Sequence, residues 1–343
     1  MFTYKPWLLY GATGRTGTLI AEEAVVRGHR PVLAGRDPEG LRRLAERLQL
    51  TWVAGPVNEV GRLLGDAELV LLAAGPFGAT SPPVLGACLD AGVHYLDLAN
   101  EIPVVGAVLG VGDLARQRGI TVLPAVGFGT VASDGLARHV ADQVPGAVRL
   151  DLAILLGTDG NSAGARASAM QALAGGGRLR RGGRLVRARL GAGARRQQTP
   201  IGNRTLVPVP TGDLVVTGHT TGIPDITVSF PLPMPPAVAK MVLPVSSVLA
   251  RGAGRLPQRA TRRDSSKDPG AVESYLWARA TAADGRTVQA WSRTGEGYAY
   301  TARAAVLAVE ATLDAAPLGA TTVARAFGPG LSIQAGGELL ASA

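Results

Sequence analysis

The chain has 343 residues, 46% of them hydrophobic and 4% aromatic, with a formal net charge of +9. That length suits two domains with substantial cores, and a single cysteine, Cys88, excludes an internal disulfide or a thiolate metal cage. The best apolar run, "AVAKMVLPVSSVLA" at 237–250, is broken by Lys240 and Pro244 and falls short of the roughly 18 residues of a spanning helix. The N-terminus lacks the charged, apolar, cleavable layout of a signal peptide, so a cytoplasmic protein without stable membrane insertion is expected.

The first 130 residues alternate between short apolar runs and amphipathic stretches. Strands are predicted at 7–10, 31–35, 51–54, 68–74, 94–98 and 120–126, and helices at 15–27, 38–49, 58–64, 82–91 and 106–118. Asp37 before Pro38 supplies an N-cap acceptor followed by proline at the first helical position. The glycines in "DAGVHYLDL" and "QRGITVLPAV" each close a helix ahead of a buried strand. Strands alternating with helices predict a doubly wound parallel sheet.

A helix is predicted at 133–142, and beyond it the texture changes. "VRLDLAILL", "DLVVTGHTT", "DITVSF", "SYLWARATA" and "TVQAWSRT" alternate as strands, which predicts a second α+β domain with a mixed or antiparallel sheet. A final helix is expected at 298–314. Eight arginines fall in "RLRRGGRLVRARLGAGARR", residues 178–196. They read either as a solvated hairpin turning at Gly182-Gly183 or as a landing patch for an acidic partner or substrate. Nothing aromatic is interleaved with them, and no nucleic-acid partner is expected.

Between the first strand and first helix stands "GATGRTG", with Gly11, Gly14 and Gly17 three residues apart. In a dinucleotide-binding turn the first glycine permits the tight bend. The second lets a pyrophosphate reach the backbone, and the third allows close helix–strand packing. The phosphates then lie on the amides of the helix N-terminus. The predicted sheet is therefore Rossmann-type; no Gly-Lys-Ser/Thr follows, which excludes a Walker loop. The second strand ends in Arg36 where an acid would bind both ribose hydroxyls of NAD. Arginine there suits a 2′-phosphate, so NADP is the expected cofactor. Arg15 can provide a second positive group, and Asp37 is read as the helix cap.

No tyrosine has a lysine four residues on, the four histidines have no metal-ligand spacing, and no Gly-x-Ser-x-Gly elbow occurs. What remains is hydride transfer with little side-chain machinery, to a C=N or an activated C=C bond. On the strand at 94–98, Tyr95 and Asp97 face the same way, near the carboxyl edge where ligands bind in such sheets. Either they serve the reaction or they pack and cap locally. Pro76, Phe77 and Gly78 follow the fourth strand, where a backbone loop can hold the nicotinamide ribose. His219 and Tyr298 are candidate contributions from the second domain. The stretch 231–250 reads as a lid or apolar entrance for an acyl chain, or as a packed connector.

These residues resemble the saccharopine dehydrogenase-like reductase family, and within it the bacterial trans-acting enoyl reductases. The similarity is carried by "YGATGRTG", "LAGRD", "AAGPFGATSPPVLGACLDAGVHYLDLANE" (73–101) and "VLPAVGFGTVASD" (122–134), and continues through "GNSAGARASAM", "TGDLVVTGHTTGIPDITV", "EGYAYTARAAVLA" and "ARAFGPG". Asn100 stands where the family commonly has glycine, and "TVASD" replaces its more usual proline before the acid. The resemblance implies an NADP-binding Rossmann domain over 1–130 and a substrate domain over 131–343, with the 298–314 helix packing back on the first. It implies a cofactor site at Gly11, Thr13, Gly14, Arg15, Thr16, Gly17, Arg36, Ala74, Gly75, Pro76, Phe77 and Asn100. The candidate proton donors are Tyr95, Glu101 and Tyr298, with no metal. It further implies reduction of an enoyl group in a lipid, polyketide or other specialised-metabolite intermediate. The alternatives are a saccharopine-type imine reductase and a non-catalytic NADP-binding sensor. The expected partners are a small-molecule substrate, free or presented by a carrier protein, and a second copy of the chain in a homodimer.

Overall fold

Two sheets carry the described residues, 5–157, 176–253 and 273–340 of a computed structural model. In the first, β1 (Trp7–Tyr10), β2 (Val32–Gly35), β3 (Trp52–Ala54), β4 (Leu69–Leu72), β5 (His94–Asp97) and β6 (Thr121–Leu123) run parallel in the order β3-β2-β1-β4-β5-β6. All four residues of β1 and of β4 are buried, because helices cover both faces. Alternate side chains go to opposite layers. Trp7, Leu9, Leu69 and Leu71 join the core under α1 (Arg15–Val26) and α2 (Pro38–Leu48). Leu8, Tyr10, Val70 and Leu72 meet Val84, Leu85 and Cys88 of α4 (Phe77–Ala91). Cys88 is a free, buried thiol, raised in pKa by burial. The short helices α3 (Val60–Leu63), α5 (Ile102–Gly110) and α6 (Gly112–Gln117) complete the wrapping.

The second sheet is mixed. It contains β7 (Ala147–Leu155), the hairpin β8 (Gly177–Arg181) and β9 (Arg184–Ala188), β10 (Arg195–Thr199), β11 (Gly202–Pro208), β12 (Asp225–Leu232), β13 (Ser274–Ala282), β14 (Thr287–Thr294) and the late β16 (Glu338–Leu340). Their order is β10-β11-β12-β7-β13-β14-β16, with β8 beside β12. β7 and β12 are parallel and the other neighbours antiparallel. On one face Leu150, Leu152, Ile226, Val228, Leu276 and Ala278 pack with α7 (Thr130–Asp142) and α8 (Asp213–Thr221), in a core continuous with that of the first sheet. Asp151, Ala153 and Trp277 take the opposite face, by alternation along the strands.

The Rossmann-type parallel sheet and mixed second sheet are those expected, but several elements differ. Residues 213–221, expected as a strand, form α8. The hydroxyls of Thr217 and Thr221 bond back to the carbonyls of Asp213 and Thr217, and Gly222 ends the helix in a left-handed conformation. α4 begins at Phe77 rather than at 82, with Pro82 and Pro83 inside it. The missing proline amides leave carbonyls on Gly78 and Ala79, both exposed, where water satisfies them. The arginine hairpin turns at Gly182-Gly183 with φ of 52° and 78°, the two-residue mirror-image turn that matches strand twist.

The stretch 231–250 holds the end of β12 and most of α9 (Pro236–Ala253); the side chains of α9 beyond Pro244 fall outside the described residues. "GNSAGARASAM" also lies outside the described residues. The helix α10 (Gly297–Ala315) packs on α1. Arg27 donates twice to Glu310 of α10, at 2.7 Å each, and His29 Nε2 lies 3.0 Å from the same carboxylate. The chain then adds β15 (Gly319–Ala320) parallel to β6 and continues through α11 (Val323–Phe327) and α12 (Gly330–Gln334).

Candidate functional site

The carboxyl ends of β1, β2, β4 and β5 form one edge of the first sheet, and the loops leaving them gather most of the expected residues. After β1 the chain bends at Gly11, φ 92°, whose amide donates to the Ala34 carbonyl at 2.8 Å. The three glycines are not equivalent. A Cβ on Gly11 would meet the Ala74 amide nitrogen at 2.7 Å, and one on Gly17 would meet the Gly11 carbonyl oxygen at 2.2 Å. Both are demanded by the fold. A Cβ on Gly14 would find only the Gly11 oxygen, at 3.4 Å, an ordinary contact. The protein leaves Gly14 open, and a cofactor needs that space. Thr13, Gly14 and Arg15 are exposed and Thr16 half-buried. The first intrahelical bond runs from Thr18 to Gly14, 2.8 Å, so the preceding amides of α1 remain as donors for an anion. These residues fit the diphosphate of a dinucleotide.

Arg36 is exposed at the end of β2 and makes no hydrogen bond or ion pair among the described residues. Asp37 is committed elsewhere, since its Oδ1 accepts the Gly40 amide at 3.0 Å as the N-cap of α2. The Arg36 guanidinium is therefore exposed beside an acid already occupied by the helix cap. Ala74, Gly75, Pro76 and Phe77 leave β4 beside the turn at Gly11. The Thr80 hydroxyl holds this loop by donating to the Ala74 carbonyl at 2.6 Å.

At the end of β5 the polar residues divide. Tyr95 is fully buried; its hydroxyl lies 2.8 Å from both Ser81 Oγ and Asp97 Oδ2, and burial, with the Asp97 charge, raises its pKa well above the usual tyrosine value. Asp97 Oδ1 accepts the amides of Ala99 and Ala125, each at 2.9 Å. Ala125 has φ 62°, a left-handed conformation that costs an L-residue about 1–2 kcal/mol. One carboxylate thus ties the loop after β5 to the strained loop after β6. Asn100 is exposed and Glu101 half-buried, the Glu101 carboxylate accepting the Asn100 amide at 3.0 Å.

Burial pushes the Asp97 carboxyl up to about 6, above about 3.9 in an unfolded chain. The folded state therefore holds the proton more tightly, and this contribution to stability is complete below about pH 4 and lost as pH rises through 6. Asp97→Asn keeps an acceptor but cannot titrate. Relative to the parent, it is expected to gain up to about 3 kcal/mol between pH 4 and pH 7, read from urea unfolding across that range. A pH-independent difference would contradict this.

The second sheet's helices close the crevice. The Gly212 amide donates to the Asn100 carbonyl at 2.8 Å, and a Cβ on Gly212 would lie 2.6 Å from Asn100 Oδ1. Just beyond, Asp213 is fully buried, with Oδ1 accepting from the Ser133 hydroxyl. Asp213 Oδ2 and Thr211 Oγ1 are buried and have no hydrogen-bond partner among the described residues. At the start of α10 the Arg15 guanidinium sits 3.9 Å from the centre of the Tyr298 ring, a cation–π contact across the glycine turn. His219 is not brought to this place. It lies about 10 Å along α8 from Gly212, and burial and the charges of Arg325 and Arg180 lower its pKa. Reading 213–221 as a strand concealed Thr211 and Asp213. The signal that finds them is Thr-Gly-Asp ahead of an apolar run, a helix-start pattern.

Comparison with known proteins agrees with this geometry. Residues 7–123 match the family model of the saccharopine dehydrogenase NADP binding domain. A trans-acting enoyl reductase of Mycobacterium ulcerans is 29% identical over 147 residues, 39% of this chain and 34% of its own length. A probable mitochondrial saccharopine dehydrogenase-like oxidoreductase of Arabidopsis thaliana is 28% identical over 162 residues, 38% of this chain and 35% of its own length. The chain thus spans about a third of the length of the curated relatives it matches. The apo saccharopine dehydrogenase (L-Glu forming) of Saccharomyces cerevisiae superposes with a TM-score of 0.66 at 14% identity, covering 98% of this chain and 100% of that one. Residues 7–123 thus resemble the saccharopine dehydrogenase NADP binding domain, in a chain that shares its fold with saccharopine dehydrogenase.

Proposed function

We propose that the protein is an NADPH-dependent reductase of an activated C=C bond in an acyl-type intermediate, free or held by a carrier. NADPH supplies the hydride when bound along the carboxyl edge of the first sheet. Gly14 and the first amides of α1 hold the diphosphate, with Thr13 and Thr16 beside it. Arg36 takes the 2′-phosphate, and Ala74–Phe77 and Asn100 line the nicotinamide end. Glu101, after β5, and Tyr298, at the start of α10, are the groups able to deliver the proton that accompanies hydride. Tyr95 acts as a positioning residue through Asp97, because its hydroxyl is engaged inside the protein.

The observation that favours an acyl substrate is the surface of α9. Its Ala239 and Leu243 pack on Val207, and Val207 pairs with Phe230, which packs on the core beneath α7 and α8. α9 therefore lies on the face of the second sheet that looks toward the nucleotide-binding domain. There it exposes Val238, Met241 and Val242 at 37%, 67% and 45%, an apolar strip suited to a chain of methylenes. The test is NADPH consumption with a series of trans-2-enoyl thioesters against cyclic imines. Turnover of the thioesters with KM falling as the chain lengthens is expected, and Met241→Asp should remove that length dependence. Turnover of imines alone would replace this reading with C=N reduction.

Cofactor selectivity tests the other end of the site. Arg36→Ala is expected to weaken NADPH by about 1.5–3 kcal/mol, the range for a hydrogen bond to a charged group, and to leave NADH binding unchanged. Fluorescence titration of both nucleotides measures it; equal parental affinities would remove Arg36 from the role.

A further inference from the structure

Four arginines from separate strands converge on the face of the second sheet turned away from α7 and α8. Arg149 (β7), Arg181 (β8) and Arg195 (β10) line a cavity of about 310 Å³ together with Asp151, Leu179 and Thr227. Arg279 (β13) adjoins it through Asp151. That carboxylate, 1% exposed, is the one acid in the group, and accepts from Arg149 and Arg279 at 3.1 Å each. One negative charge against four positive leaves an excess of three.

The arginines are held rather than splayed into water. Arg181 is fixed by the carbonyls of Arg180 and Ile226 and by the Thr227 hydroxyl. Arg195 and Arg279 lie 5.8 and 5.2 Å from the centre of the Trp277 ring. Arg195 Nη2 and Arg279 Nε are buried donors without a partner among the described residues. Burial, with the charges of Arg279 and Arg149, lowers the Arg195 pKa despite Asp151. Unpaired buried guanidinium donors are costly, and an anion with several acceptor oxygens in the cavity relieves that cost at Arg195, which lines it. Planar guanidinium forks suit the oxygens of a phosphate, which carries up to two negative charges at neutral pH. The volume, at the low end for small-molecule sites, holds a phosphate with a few carbon atoms attached.

We infer that this cavity binds a phosphate group, on the opposite face of the second sheet from the nucleotide crevice. The experiment is calorimetric titration of the whole chain, first saturated with NADP⁺ to fill the phosphate positions of the crevice. Inorganic phosphate is the titrant in one arm and glycerol 3-phosphate in the other. One saturable site is expected, weakened at least tenfold by Arg195→Gln and by Arg181→Gln. Arg178→Gln removes the same charge from the other side of β8 and is expected to change binding less than twofold. The two cavity variants are independent, so one that fails to fold leaves the other decisive. Tighter binding of glycerol 3-phosphate would support an organic phosphate as occupant, and equal binding inorganic phosphate. No saturable binding in either arm, or equal weakening by all three substitutions, would overturn the assignment.

Discussion

Gly14→Val is expected to abolish NADPH binding in a protein whose melting temperature is unchanged to within a few degrees. The backbone at Gly14 is extended, φ −71° and ψ 159°, a conformation valine adopts readily. The added Cβ touches only the Gly11 carbonyl oxygen, at 3.4 Å. The side chain then occupies the space through which a diphosphate must reach the amides of α1. Gly17→Ala is the contrasting change. It adds a single carbon, but 2.2 Å from the Gly11 oxygen, where backbone must move; a loss of about 3 kcal/mol of stability is expected, the upper end for overpacking. Circular dichroism, thermal melts and nucleotide titration on the two variants separate a ligand requirement from a folding requirement. A folded Gly14→Val protein that still binds NADPH would remove the dinucleotide site from this turn.

The second large effect concerns the proton. Hydride addition to C=C leaves an atom that must be protonated, and a single essential acid contributes roughly 10²–10⁴-fold in rate. The two proposed donors are Glu101, which follows β5, and Tyr298, at the start of α10 against Arg15. Removing the operative donor, by Glu101→Gln or Tyr298→Phe, is expected to lower single-turnover rates by roughly 10²–10⁴-fold with NADPH affinity preserved. Tyr298→Phe retains the ring under Arg15, so a loss there reports the hydroxyl and not the cation–π contact. Tyr95→Phe is expected to stay within a few-fold of the parent, its hydroxyl being internal. If all three variants turn over like the parent, solvent supplies the proton and the chain's contribution is positioning alone.

Which features could be read in advance follows from how local their causes are. Gly11, Gly14 and Gly17 declare a turn because a bend, a ligand approach and a helix–strand contact each exclude side chains within seven consecutive residues. Asp37-Pro38 and Gly182-Gly183 are equally local, one a helix start and the other a hairpin with both residues at positive φ. The strand at β5 told that Tyr95 and Asp97 share a side, because alternation is a property of the extended chain. It did not tell what covers that side. Burial beside Ser81, on a helix that begins earlier than its prolines suggest, turned a candidate donor inward.

The sequence by itself determined the alternation of strands and helices in the first 130 residues, save that the one helix expected at 106–118 is two, α5 and α6, and it marked the glycine turn and the arginine where a 2′-phosphate is expected. Tertiary structure alone decided that 213–221 is helical. Its threonines and valines favour strands in isolation, while burial and threonine hydroxyls bonded to the preceding turn favour the helix. It also decided which glycine is left open for a ligand, because Ala74 and Gly11 approach through space. The same holds for Arg149 and Arg279, 130 residues apart in the chain, which meet on Asp151 only because β13 lies beside β7. Local chemistry writes the turns and caps. Convergence of charge, and the closing of a crevice between Asn100 and Gly212, exist only once the sheets have assembled.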